Sequence, residues 1–482
     1  MRDPKYRYSI LAIIILGVIA YLPPVLMIQH FFSDSYCYLT LAKGIRTLSY
    51  SLEFHRNLKY LPFYPITIFL VNSLSLGLFG YVSSAKLVSM CSLIACSCLV
   101  FDFCFYETRS YRLPLLAGIL SVLSPIFIGM SGNPLTEPLF CFLCFATFVF
   151  LLRKKDYVAW IFAGLAIMTR YEGVFLLPAL VIAQWKSPRQ SVGAYCIRLI
   201  VGFLILLIIC APWAYFILSH LGEFFAYSYF QDLTARNHTG LYFLSDSLLS
   251  LSPLIALLGL IGIYFYPRGL RPGVILYIIG YSLIHIYWAW RALRFTLPLA
   301  PLFTVGTISF AQFLTFKLRN LETQKLRNRS LMISAIVSVL IIPVMLFDVY
   351  VYFSLGKFNK DLRIDAIKKI LEYDARAVVL TNIEPRLCGW YGLLNTITWH
   401  GFGEKEPYQY IAQKYIENQA RYLIWSRTDD YPFPFFKELV QKGFVSKQVH
   451  LQEQTYTLTF YSIYFLENGN IVIFSLDLKP RG

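Results

Sequence analysis

Residues 1–353 alternate between apolar runs long enough to cross a bilayer and short polar loops. The first run covers about Tyr8 to Ile28 and follows Arg2, Lys5 and Arg7. No small-residue cleavage site comes after it, so it reads as a retained first span. Six loops are basic: the N-terminus, Arg109/Arg112, Arg153–Lys155, Lys186 to Arg198, Arg268/Arg271 and Lys317 to Arg329. If all six face the cytoplasm, two crossings join each consecutive pair. One more span near Leu331–Phe353 then carries the chain outward, giving about eleven spans and an external C-terminus. Residues 61–79 are apolar enough to tempt as a span, but counting them would turn Arg109 and Arg112 outward. They are therefore expected on the outer side as a re-entrant or interfacial helix, inside a large first outer loop over 29–84.

Beyond residue 356 the pattern changes. Helical spacing is predicted over Asp361–Tyr373, Pro407–Gln419 and Phe433–Lys442, with short strands at Ala377–Thr381 and Tyr422–Trp425. Residues 444–477 alternate as strands do. The fold class expected is a multi-pass α-helical membrane domain over 1–356, followed by a soluble extracytoplasmic α/β domain over 357–482. The tail has no glycine-rich phosphate loop and no catalytic cluster, which suits a rim, lid or acceptor-docking role.

Composition agrees with the pattern. Apolar residues make up 57% of the 482-residue chain and charged residues only 15%, against about 25% charged in soluble domains. The net charge of +16 would suggest nucleic acid, but its distribution excludes that reading. Residues 1–356 hold 27 Lys and Arg against 13 Asp and Glu, and residues 357–482 hold 16 against 14. The excess lies in short loops between spans. The ten cysteines include eight in apolar runs and one, Cys388, in the tail, so they read as small buried hydrophobes. No CxxC pair joins a histidine cluster, and no metal or other cofactor is expected, though a divalent cation stays open.

Ionisable groups in or beside spans are costly and point to function. Asp34 follows the first span in an aromatic setting (Phe31-Phe32-Ser33-Asp34-Ser35-Tyr36-Cys37-Tyr38), where it suits a general base or a helix N-cap. Glu137, in Ser131-Gly132-Asn133-Pro134-Leu135-Thr136-Glu137-Pro138-Leu139, opens a span on the outer side and reads as a second functional acid or as a cap. Arg170 and Glu172 lie in a short loop between spans, where a local ion pair is the alternative. Arg291 and Arg294 are placed outside, against the positive-inside trend, and cations there suit an anion; Lys59 can join them. One outer acid with several outer cations fits transfer of a sugar from a lipid phosphate. That leaving group needs no protonation, the cations stabilise it, and a single carboxylate deprotonates the acceptor.

Five of these segments, in this order, resemble the lipid-phosphate-sugar-dependent glycosyltransferases of the GT-C fold, including the protein O-mannosyltransferases and aminoarabinose transferases. They are Asp34 with Tyr36 and Tyr38, Lys59-Tyr60-Leu61-Pro62-Phe63-Tyr64-Pro65, Ser131 to Leu139, Gly164 to Gly173, and Arg294-Phe295-Thr296-Leu297-Pro298. The resemblance covers about residues 5–355. It implies that Asp34 is the catalytic base, that Glu137 is a second acid near the acceptor or a cation, and that Arg170 and Arg294 receive the lipid phosphate. Lys59, Tyr60, Tyr64, Glu172 and Arg291 complete the expected substrate site. The sequence departs from the family where Ser35 follows Asp34, since many members carry two adjacent acids, and where Leu61 stands in place of a common proline.

The resulting expectation is an inverting transferase in the cell membrane, or the endoplasmic reticulum membrane of a eukaryote, with a cytoplasmic N-terminus. Its donor is a polyprenyl- or dolichyl-phosphate sugar, and its acceptor is a protein, lipid or glycan on the outer face. A ligase with a larger donor shares the same fold. A transporter or flippase of a lipid-linked sugar is the rival from another class, but the two halves show no repeat. A polar-lipid scaffold without catalysis is the blandest reading. Asn237-His238-Thr239 is a glycosylation sequon on an outer loop.

Overall fold

The computed structural model describes residues 3–28, 31–47, 60–185, 192–219, 252–287, 293–319, 362–381, 396–398, 407–426, 444–451, 454–466 and 471–480. Lys59, Arg291, Cys388, the Asn237 sequon, the span expected near Leu331–Phe353 and the helix expected over Phe433–Lys442 lie outside these residues. The chain divides into two compact units: Met1–Phe31 with Tyr38–Phe358, and Phe32–Cys37 with Asn359–Gly482.

The first unit is helical. Its helices are α1 (Pro4–Met27), α2 (Ser33–Ile45, entering from the second unit), α3 (Phe63–Leu74), α4 (Gly80–Thr108), α5 (Arg112–Val122), α6 (Pro125–Ser131), α7 (Thr136–Leu152), α8 (Asp156–Ile167), α9 (Leu176–Trp185), α10 (Val192–Ser219), α11 (Pro253–Ile263), α12 (Arg271–Tyr287) and α13 (Ala300–Arg319). A 3-10 turn, Tyr171–Phe175, leads into α9, and another, Leu293–Leu299, leads into α13. Asp3 starts α1 by accepting the Lys5 N–H at 2.9 Å, with Pro4 at the first helical position, where its missing N–H costs nothing.

Among the described residues, four stretches are long and apolar enough to cross a membrane: Pro4–Met27, Gly80–Thr108, Val192–Ser219 and Leu293–Lys317. The pair α5 and α6 makes a fifth if its 50° bend, at the break before Pro125, is taken as one span. Their burial separates core from periphery. The apolar windows of α4 and Leu293–Lys317 are two-thirds buried, whereas those of α1 and α10 are 22% and 6% buried. α4 and α7 pack against each other and form the interior. α1 and α10 turn bare apolar faces outward, an arrangement that only lipid can solvate.

Residues 61–79 form the short helix α3 and a tight turn. Twelve residues rise roughly 18 Å, well short of a hydrocarbon core of about 30 Å. The turn exposes Leu74, Leu76 and Leu78 by more than four-fifths each (83%, 89% and 86%), which suits an interfacial helix immersed at its tip.

The second unit carries a six-stranded sheet among its described residues: β1 (Val379–Thr381), β2 (Thr396–Thr398), β3 (Tyr422–Ser426), β4 (Phe444–Leu451), β5 (Gln454–Leu466) and β6 (Ile471–Pro480). The order is β2-β1-β3-β6-β5-β4. β1 runs parallel to β2 and β3, and the rest is antiparallel, with a register shift between Ser462 and Tyr464. Helices Leu362–Tyr373 and Pro407–Asn418 bury Ala366, Ile367 and Ile370, and Ile411 and Ala412. Their opposite faces are polar, as a surface helix requires.

Candidate active site

The site is assembled by three turns at the ends of apolar helices. The first joins α6 to α7. Asn133 donates to the Gly129 carbonyl at 2.7 Å, and Ser89 of α4 donates to the Asn133 carbonyl at 2.7 Å, which ties the turn to the interior. Gly132 is required there because a Cβ would run into the Pro24 carbonyl oxygen of α1. The turn delivers Glu137 to the first turn of α7, where the helix dipole favours a negative charge. The second turn follows α8. Arg170 is extended, and the 3-10 turn after it carries Glu172. Gly173 allows this turn to lie on the end of α8, since a Cβ there would meet the Ile167 nitrogen at 2.6 Å. The third turn, Leu293–Leu299, carries Arg294 and Phe295.

These turns bring four of the expected site residues into one network. Arg170 Nη1 pairs with Glu137 Oε1 at 3.0 Å, and Arg170 Nη2 donates to Glu172 Oε1 at 2.8 Å. Arg294 Nε reaches the same Glu137 oxygen at 3.2 Å. Thr136 joins by accepting from Arg170 Nη1 at 3.1 Å and donating to Glu137 Oε2 at 3.3 Å. Both guanidiniums lie over the Phe295 ring, at 5.5 Å for Arg170 and 5.3 Å for Arg294. The carboxylates are sealed, with side chains 1% (Glu137) and 3% (Glu172) exposed, while the guanidiniums keep 14% (Arg170) and 13% (Arg294). The network therefore presents cations, not acids, to whatever enters.

Glu172 sits in the turn between helices, outside the spans. Burial works against its charged form, but Arg170 and His285 outweigh that and hold its carboxyl below the ordinary glutamate value. His285 Nε2 lies 3.9 Å from Glu172 Oε1. Its ring stacks on Phe295 at 4.8 Å and tilts against Tyr281 at 4.4 Å, and Tyr281 donates to the Phe295 carbonyl at 2.8 Å. Tyr277, Tyr281 and His285 recur every four residues, so one face of α12 supports the third turn.

The remaining candidates fall as follows. Tyr60 and Tyr64 are buried and each meets Tyr38 edge to face, at 5.1 and 5.3 Å. Tyr64 stands within electrostatic range of Glu137. Asp34 belongs to the second unit, in the first turn of α2, partly buried. Lys59 and Arg291 lie outside the described residues.

Several residues beside this network were not singled out in the sequence. Thr136 and Phe295 stood inside the motifs. His285 and Lys86 carry their own signal, a polar group within an apolar run. Lys86 is buried in α4, donates to the Ile28 and Val25 carbonyls at 2.6 and 2.7 Å, and lies 5.2 Å from the Phe31 ring. It thereby fastens the C-terminal end of α1, the stretch that leads toward Asp34.

No family model matches the chain, and no curated protein matches it. Solved structures do. ArnT from Cupriavidus metallidurans in the apo state aligns with a TM-score of 0.65 at 13% identity, over 96% of this chain and 97% of that one. The same protein bound to undecaprenyl phosphate gives 0.62 at 12% identity over the same shares. The chain has the GT-C fold. The oligosaccharyltransferase of Archaeoglobus fulgidus, tethered to an acceptor peptide containing the NVT sequon, aligns at 0.55 and 12% identity, over 87% of this chain and 68% of that one. Both neighbours are GT-C glycosyltransferases, and the GT-C likeness to ArnT runs through the helical unit and the tail alike.

Proposed function

We propose that this chain is an integral membrane glycosyltransferase that moves a sugar from a polyprenyl- or dolichyl-phosphate donor to an acceptor on the outer face of the membrane, with inversion at the anomeric carbon. The observation that carries the reading is the pair of guanidiniums, Arg170 and Arg294, gathered on one carboxylate and on one aromatic ring at the end of the helical body. Such a pair is suited to a phosphate, which Arg grips with paired hydrogen bonds. The undecaprenyl phosphate in one ArnT structure supports a polyprenyl donor.

In this reading the acceptor hydroxyl oxygen attacks the anomeric carbon from the face opposite the phosphate. The carbon–oxygen bond to the phosphate breaks, and its electron pair leaves on the polyprenyl phosphate. Arg170 and Arg294 stabilise that growing charge. Asp34 takes the acceptor proton as general base. Glu137 holds the two guanidiniums in place until the phosphate arrives, and Tyr60 and Tyr64 wall the sugar. Orientation follows the basic loops, with the N-terminus cytoplasmic and the tail outside.

The test is donor consumption. The full chain in lipid is incubated with a panel of radiolabelled polyprenyl-phosphate sugars and candidate acceptors, beside Asp34→Asn. Turnover by the wild type and a loss of at least about 100-fold in the variant is expected. Equal turnover removes Asp34 as the base, and movement of labelled lipid across proteoliposomes without donor cleavage overturns the transferase reading.

A further inference from the structure

The opposite end of the same helices carries a second concentration of charge. Sixteen residues separate Glu137 from Arg153 along and just past α7, which is roughly 24 Å at helical rise. There a cavity of about 410 Å3 opens between the start of α1, the last turn of α4 and the turn from α7 to α8. Its floor is the buried Asp102, which accepts from the Tyr6 hydroxyl at 2.5 Å and pairs with Arg153. At its mouth Asp3 is taken up by the Tyr111 hydroxyl at 2.6 Å and the Lys5 N–H. Asp102 Oδ2 is buried without a hydrogen-bond partner among the described residues, whereas both Asp3 oxygens and Asp102 Oδ1 are engaged.

The cations of its rim are not. Arg109 and Lys155 line the cavity, and among the described residues neither has an ion-pair partner. Glu107 is close enough to feel Arg109 but makes no ion pair with it. The backbone gives a second, independent sign. Arg109, which lines the cavity, closes α4 with φ 53°. Glycine or asparagine fits this left-handed conformation with less strain, yet the position holds a cation. The Arg109 guanidinium is held 4.8 Å from the Tyr106 ring, so it is aimed as well as placed.

We propose that this cavity binds the phosphate group of an anionic lipid, on the membrane face opposite the Glu137 network. A guanidinium and an ammonium group lining one cavity match a phosphodiester. The aromatic wall of Phe105 and Tyr106 suits the start of the glycerol and acyl chains, and basic groups at a membrane edge attract anionic lipid. The volume is that of a small-ligand pocket, larger than a bare phosphate needs. The inference is independent of the transferase reading, and its test measures binding alone.

The full chain is placed in phosphatidylcholine nanodiscs, phosphatidylglycerol is titrated in, and native mass spectrometry reads the lipid retained. The comparison is Arg109→Gly combined with Lys155→Gln. Glycine relaxes the left-handed backbone, so the variant is expected to keep its melting temperature. Wild type should retain phosphatidylglycerol over phosphatidylcholine, and the variant should bind it roughly 10- to 30-fold more weakly. Inorganic phosphate alone is the second probe. If it displaces the lipid from wild type, or raises the melting temperature of wild type only, the site takes free phosphate as well. If the lipid stays, the site is a headgroup site. Equal retention by wild type and a variant that melts normally, or no preference in the wild type, overturns the proposal.

Discussion

Arg170 is the residue on which the network turns, because it bonds two acids that have almost no water to replace it. Glu137 and Glu172 are 1% and 3% exposed, and both lean on the same guanidinium. Removing one partner of a buried pair leaves a stranded charge and costs about 3–5 kcal/mol. Arg170→Ala should therefore lower the melting temperature of the purified protein clearly, and should also cut turnover about 100- to 1000-fold if Arg170 stabilises the leaving phosphate. Arg170→Lys restores charge but not the fork, so it should recover much less turnover than stability. Glu172 adds a pH signature. Its carboxyl is held below the ordinary value of 4.5, so its stabilising effect is complete above that value. The effect is lost as the pH falls through the lower folded value. Melting curves in lipid from pH 7 down to 4 and below should show a late acid drop in wild type that Glu172→Gln lacks, and identical acid profiles would remove Glu172 from the network's charge balance.

At the scale of elements, the site depends on two turns that come too close to a neighbouring helix for any side chain. In Gly173→Ala the new Cβ would meet the Ile167 nitrogen at 2.6 Å. The turn must then lift from α8 and carry Arg170 and Glu172 with it. A displacement on the order of 1 Å at such a site costs about 100-fold in rate. Gly173→Ala is expected to lose activity by that order while the protein still inserts and elutes as a single species; activity within a few-fold of wild type would show that the turn's position is not critical. These turns also explain what the sequence disclosed and what it did not. Charges beside apolar runs mark Glu137, Arg170, Glu172 and Arg294 individually, since each is an expensive exception in its neighbourhood. Their pairing comes from three helix ends far apart in sequence, and nothing local encodes it. His285 and Lys86 were just as exceptional, but they sit inside runs rather than at loops, where candidates were sought. The helix at 63–74 is shorter than a span, in keeping with the expectation from the basic loops that it does not cross. β2 was not legible, because Ile397 is a single apolar residue between two threonines, whereas the equally short β1 lies in the apolar run that starts at Ala377. Which unit Phe32–Cys37 joins was likewise beyond the sequence, since that depends on the packing of distant segments.

At the scale of the whole molecule, the helical unit carries a cluster of charges at each end of α7. The Glu137 network occupies one end of α7, and the Asp102–Arg153 pair occupies the other, with a nearly all-apolar helix between them. A membrane fixes which end faces which compartment, and the basic loops argue that the Arg153 end is cytoplasmic. Under the proposed function this is consequential, because a sugar donor that reaches the wrong face cannot meet its acceptor. Single cysteines replacing Lys155, at the inner turn, and the exposed Lys369, in the tail helix, make the orientation testable. In intact cells a membrane-impermeant maleimide should label the Lys369 variant and spare the Lys155 variant until the membrane is opened. Among the described residues Cys91 and Cys196 are exposed native cysteines, so wild type supplies the background. Labelling of both variants from the same side would put Lys155 and the tail in one compartment. The expected span beyond residue 319 would then have to be given up, because an even number of crossings would separate the inner turn from the tail.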